Sequence, residues 1–195
     1  MRSFSLKAVM VCVALLGCQA TLTAQAATKP QAAKQAAAQE KVSALGGKLA
    51  FTLPEGFVKG EMPEIDEKAI AQGVTGSLYT HQAQKRVLIV TETPVPMGVK
   101  ASDNDTQVLD GLIAGTLAQQ SGSYKDFQRL AEKRIVKKNG LGIRQLDTSA
   151  TMSTTKVLST TIVAASGTRA TVLNVVSPAK DPAGHAALVK TVIGE

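Results

Sequence analysis

Between residues 129 and 176 the chain offers strand after strand with almost nothing between them. Residues 129–138 and 141–148 flank Asn139-Gly140, a pair that tolerates the positive φ angles of a tight two-residue hairpin turn. Residues 156–164 and 168–176 flank Ser166-Gly167 in the same way. Connections this short leave no room for the crossover that a parallel pair needs, so this quarter of the chain must form neighbouring antiparallel strands.

The rest of the pattern is compatible with that sheet. Residues 48–53 (KLAFTL) alternate, with Leu49, Phe51 and Leu53 on one face, and Pro54-Glu55-Gly56 ends the strand. Residues 77–81 and 86–91 are two further strands. The VLIVT run of the second is apolar on both faces, so it belongs inside a sheet covered on both sides. Ser102-Asp103-Asn104-Asp105 opens a helix whose stripe is Val108, Leu109, Leu112, Ile113 and Leu117, with Gly122 as its stop. Asp181 caps a last helix with Pro182 at its first position and Leu188, Val189, Val192 and Ile193 on its apolar side. Hairpins with one long helix between groups and another at the end predict an α+β fold, a mainly antiparallel β-sheet flanked by helices. No βαβ phosphate-binding pattern occurs.

Residues 1–7 carry Arg2 and Lys7 without an acid, and residues 8–17 are an unbroken apolar run. A bilayer span takes about 20 residues, so this shorter run reads as a secretory signal peptide and the protein as exported. Two processing signals follow. Leu15-Leu16-Gly17-Cys18 resembles a bacterial lipobox, which makes residues 1–17 the signal, Cys18 the site of lipid attachment and the membrane a partner. Ala24-Gln25-Ala26 is an A-x-A pattern that would release a soluble protein after Ala26. The residues leave both open. Residues 27–41 hold no large apolar side chain, so a flexible Ala/Gln/Lys linker is predicted over 18–44 and one domain over 45–195.

Little chemistry is available to that domain. Both cysteines, Cys12 and Cys18, precede it, which excludes a disulfide, a thiolate metal ligand and cysteine catalysis. Aromatics make up 3% of the chain, too few for a base-stacking platform, and export argues further against nucleic acid. His81 reads as a solvated turn residue. His185, four residues after Asp181, is either half of a His–carboxylate dyad or one side of a helix-start pair. No nucleophile or metal ligand is nominated beside it, which favours the pair. Asp103-Asn104-Asp105 lacks the alternation and distal Glu of a calcium loop, and Gly140-Leu141-Gly142 lacks the third glycine of a phosphate loop. No catalytic residue, metal site or cofactor is therefore predicted.

The charge of +7 falls to +5 when Arg2 and Lys7 leave with the signal. Its densest part is Lys133-Arg134 and Lys137-Lys138 at the first hairpin. Strand alternation sends Lys133 and Lys137 to one face and Arg134 and Lys138 to the other, which suits edge protection better than a platform for anionic lipid.

The order of features is similar to the DcrB family of bacterial envelope proteins. The likeness is carried by Cys18, the spacer, Gly47-Lys48-Leu49-Ala50-Phe51-Thr52-Leu53-Pro54, the stretch KRVLIV from Lys85, the stretch GLGIRQLD from Gly140, and the apolar ending from Leu188 to Ile193. It spans about residues 45–195 and its motifs are structural. The resemblance implies a PsbP-like α+β fold, lipidation of Cys18, a periplasm-facing location and an association with the envelope and phage adsorption. It brings no catalytic residues. Gln19 stands where inner-membrane members often have Asp, so outer-membrane sorting is an alternative. The expected function is a non-enzymatic DcrB-like lipoprotein that binds or assists another envelope component; the alternative is a soluble periplasmic small-molecule-binding module released after Ala26.

Overall fold

Antiparallel order runs through the whole domain, as the closely spaced hairpins require. The computed structural model describes residues 39–60, 62, 65–95 and 98–194. The predicted signal, Cys18, the Ala26 cleavage site and residues 18–38 of the predicted linker lie outside these. In chain order the elements are β1 (Lys41–Ala44), β2 (Leu49–Thr52), β3 (Val58–Gly60), α1 (Glu67–Ala71), β4 (Thr75–His81), β5 (Arg86–Pro94), α2 (Thr106–Ser123), β6 (Lys125–Val136), β7 (Gly142–Met152), β8 (Thr155–Ser166), β9 (Arg169–Pro178) and α3 (Pro182–Ile193). Seven strands form one sheet in the order β3-β4-β5-β9-β8-β7-β6, and β1-β2 make a separate two-stranded ribbon. Every paired neighbour is antiparallel.

Three details depart from the sequence reading. First, β1 occupies the last four residues assigned to the linker. It pairs Val42 with Phe51 and Ala44 with Leu49, and both Val42 and Ala44 are buried. Four alternating residues after a long Ala/Gln/Lys stretch are too brief a signal to separate from it. Second, the β6–β7 turn is longer than two residues. Lys137 N–H donates to the Leu141 carbonyl at 2.9 Å and Gly140 N–H to the Lys137 carbonyl at 2.9 Å, with Gly140 at φ 84°. This is a type I turn closed by a left-handed glycine, the usual three-residue hairpin. Third, α1 has no counterpart in the reading. It is five residues long, capped by Asp66, and buries none of its side chains, so it left no apolar stripe to detect.

The sheet divides the core in two. On one face Leu88, Val90, Ile143, Ile162, Leu173 and Val175 meet Leu188, Val189, Val192 and Ile193 of α3 and Leu49 and Phe51 of β2. On the other, Leu146, Val163, Ala165 and Ala170 meet Leu109 and Ile113 of α2. Each fully buried Leu or Ile contributes about 1.5–3 kcal/mol of hydrophobic stabilisation. Leu88, Ile89 and Val90 of β5 are all buried, as a strand covered on both faces requires. Asp105 caps α2 by accepting from Val108 N–H at 3.1 Å, and Asp181 caps α3 by accepting from Gly184 N–H at 3.0 Å.

Candidate functional site

Strand pairing carries several polar side chains under α3. Asp147 of β7 is opposite Thr160 of β8, and Ser177 of β9 is opposite Leu158, one step along the same face. The first turn of α3 lowers His185 onto them. Its Nε2 lies 2.9 Å from Thr160 Oγ1 and its Nδ1 3.1 Å from Ser177 Oγ. Thr160 donates its hydroxyl proton to Asp147 Oδ1 at 2.7 Å, so it can only accept from the ring. Nε2 therefore carries the hydrogen, and Nδ1 accepts from Ser177. Asp147 also accepts from Gln145 Nε2, at 2.9 Å to each oxygen. The resulting chain, Gln145–Asp147–Thr160–His185–Ser177, satisfies a neutral imidazole at both nitrogens.

Burial is the main cause that pushes the His185 pKa below its ordinary 6.5, and Arg86 adds to it; Asp147 and Asp181 pull the other way. Asp181 is not the ring's hydrogen-bond partner, which corrects the dyad reading. Its carboxylate accepts from Gly184 N–H and from the Arg86 guanidinium, and those two, in that order, hold its pKa below the usual carboxylate value. The helix-start link between Asp181 and His185 is the backbone bond, 3.1 Å from His185 N–H to the Asp181 carbonyl.

An acid, two hydroxyls and a histidine in a row are the ingredients of nucleophilic catalysis, but access decides their role. Ser177 is fully buried and Thr160 is 1% exposed. With both hydroxyls buried and hydrogen-bonded to His185, the chain fastens α3 to the sheet.

The layers around this chain, a helix and ribbon on one face of an antiparallel sheet and a helix on the other, are similar to those of cyanobacterial PsbP (CyanoP) from Synechocystis sp. PCC 6803. The TM-score is 0.55 at 9% identity, over 85% of this chain and 96% of that one. The fold is PsbP-like. LpqN of Mycobacterium tuberculosis, a protein involved in cell envelope biogenesis, gives a TM-score of 0.47 at 11% identity over 74% of this chain and 79% of that one. No protein-family model and no curated protein matches the chain.

The PsbP-like frame separates the other sequence candidates. Asp103 receives Lys48 Nζ at 2.7 Å and Ser166 Oγ at 2.6 Å, which lowers its pKa, while Asp105 is spent on capping; the acids of this stretch tie a loop down. Gly140 closes the hairpin turn. Gly142 donates its N–H to the Asp103 carbonyl at 2.6 Å and sits against Asn104. His81 ends β4 half-buried, its Nδ1 accepting from Gln84 N–H at 3.3 Å and its ring edge-on to Phe57 at 5.3 Å, so it is more enclosed than a solvated turn residue. Lys133, Arg134 and Lys138 are exposed along β6 and its turn, and β6 is an edge strand.

A cleft of about 90 Å³ is lined by Ser43, Thr75, Gly76, Ser77, Val90 and Glu92. That is room for a few waters, against about 300 Å³ or more for a typical ligand pocket. Among the described residues no three His, Cys, Asp or Glu side chains converge as a metal site, and no helix is long and apolar enough to cross a membrane.

Thr160, Asp147, Ser177 and Arg86 were not singled out by the sequence. Their only signal was polarity at inward-facing strand positions, and that becomes visible once register is known.

Proposed function

We propose that this chain is a non-enzymatic, periplasm-facing, DcrB-like lipoprotein of the cell envelope, held by lipid on Cys18, whose domain binds or assists another envelope component. The observation that carries the non-enzymatic part of this reading is the enclosure of His185: the residue best suited to acid–base chemistry is tied to Thr160 and Ser177 inside the α3–sheet contact. The basic start, the short apolar run and the lipobox-like Leu15–Cys18 support export and anchoring. The stretches that resemble the DcrB family support the envelope assignment, and a PsbP-like fold is what that resemblance implies.

Metabolic labelling with palmitate, with Cys18→Ala as control, tests the anchor. Label on the wild type alone and a mature N-terminus blocked at Cys18 are the expected results. An unlabelled protein beginning at Ala27 in the periplasmic fluid would overturn it. Crosslinking in cells from several exposed positions of the domain tests the accessory role, and the absence of a reproducible envelope partner at every position removes it.

A further inference from the structure

The two edges of the seven-stranded sheet differ sharply. At one, β3 has three residues, and shortness is itself a guard against unwanted pairing. At the other, β6 has 12. Register shifts interrupt its first half, but from Ala131 to Val136 it pairs with β7 residue for residue. Its outer side therefore offers the N–H and C=O groups of every second residue along this regular six-residue stretch. Leu130, 54% exposed, lies just before that stretch and Val136, 60% exposed, ends it.

Charge along this edge is one-sided. Both acids of β6 are taken up close by: Asp126 accepts from Thr151 at 2.8 Å and Glu132 pairs with Arg129 at 2.6 Å. Arg134 reaches Asp110 at 3.1 Å. Among the described residues no carboxylate pairs with Lys133 on the strand or with Lys138 in the turn.

We infer that the 131–136 edge of β6 is a docking site for an extended, acidic segment of a partner protein, which adds as an eighth strand. This rests on the accessory role proposed above and specifies its surface. Strand addition draws affinity from the backbone row and specificity from the alternating side chains beside it. Lys133 and Arg134 lie on opposite faces of the sheet and Arg134 is already held by Asp110, so an added strand with its acids on the Lys133 face meets Lys133 directly, whereas a flat lipid surface would gather only one base of the strand. A second copy of this chain fits poorly, because pairing two β6 edges sets bases against bases, and like charges placed opposite destabilise. The same lysines thus reject neutral and basic edges and admit an acidic one.

The test uses the isotope-labelled purified protein and two synthetic ten-residue peptides, one alternating Val with Glu and one alternating Val with Lys, followed by amide hydrogen exchange and NMR titration. The Glu peptide is expected to protect alternate amides between Ala131 and Val136, leave β3 unchanged and bind about tenfold more weakly to Lys133→Glu; the Lys peptide is expected to do none of this. Lys133 is exposed, so the reversal leaves the fold intact, which the unchanged spectrum of the core verifies. Equal binding of both peptides, binding of neither, or protection at β3 overturns the inference. So does a response of β6 to phosphatidylglycerol vesicles without a response to the Glu peptide. Should the peptide arm fail while cellular crosslinks form from another surface, the edge assignment falls and the accessory role stands.

Discussion

Nε2 of His185 lies 2.9 Å from Thr160 Oγ1, while the carboxylate of Asp181, four residues earlier, is held by Gly184 N–H and Arg86. The two groups that sequence spacing suggests as a pair are each claimed by a residue far away in the chain. Buried in this arrangement, the imidazole of His185 is held in its neutral form.

The pH dependence follows from that neutrality. In the folded state the His185 pKa lies below its ordinary 6.5, which the unfolded chain retains. Above that value both states are neutral there and the stability is complete. As pH falls below it the unfolded state binds a proton that the folded state resists, so stability declines, at most by about 1.4 kcal/mol per pH unit. Denaturant unfolding between about pH 7.5 and 5 should show this slope in the wild type and lose it in His185→Gln. Equal slopes in both proteins would contradict the assignment. A further loss sets in below the ordinary carboxylate value of 3.8, as Asp103 and Asp181, whose pKa values are lowered by folding, take up protons.

Asp110 of α2 serves two arginines unequally. Its Oδ1 meets Arg144 Nε at 2.8 Å, with the Arg144 side chain 3% exposed, and its Oδ2 meets the largely exposed Arg134 at 3.1 Å. Removing the acid strands a buried guanidinium, so Asp110→Ala should cost about 2–4 kcal/mol. Arg134→Ala removes only an exposed partner and should cost no more than about 1 kcal/mol. Thermal or urea unfolding of the two variants measures the contrast, and similar losses would refute it.

Gln120 points the other way. Its Nε2 donates to Thr161 Oγ1 at 2.9 Å, but its Oε1 is buried without a partner. Thr161 keeps its own acceptor, Asn174 Oδ1, at 2.7 Å. Methionine has a similar volume and no buried acceptor to strand, so Gln120→Met should be neutral or raise stability by up to about 1 kcal/mol. A loss above that range, read from the urea midpoint, would mean the amide contributes more than its visible bond.

Gly142 is fixed by what surrounds it. A Cβ there would meet the Asn104 side chain and lie 3.0 Å from Asn104 Cα. The loop before α2 cannot withdraw freely, because Gly142 N–H holds the Asp103 carbonyl. Gly142→Ala should therefore cost about 1–3 kcal/mol, whereas Gly122→Ala, with open space around it on α2, should be neutral or slightly stabilising. Melting temperatures of the pair distinguish local crowding from a general intolerance of alanine.

Legibility tracked the range of the signal. The cap Asp181, the capping stretch from Ser102 to Asp105, the β5 run and the β8–β9 hairpin were readable because each is written within a few residues of itself. The long turn at Lys137–Leu141 was not, since Asn139-Gly140 suits two turn lengths and only the flanking hydrogen bonds choose between them. β1 was missed because its partner β2, not its own four residues, makes it a strand.

The sequence by itself determined the succession of antiparallel hairpins, the two helices with their apolar stripes, and a domain without thiols, because periodicity, turn chemistry and composition are local properties. Tertiary structure alone decided what His185 touches, which of Asp110's arginines is buried and which strand is left open at the sheet edge. Those depend on register and on strand order, where residues such as Asp147 and His185 are brought together across 38 positions of chain. A side chain's partner there is set by the packing of α3 on the whole sheet, and no short stretch of sequence records it.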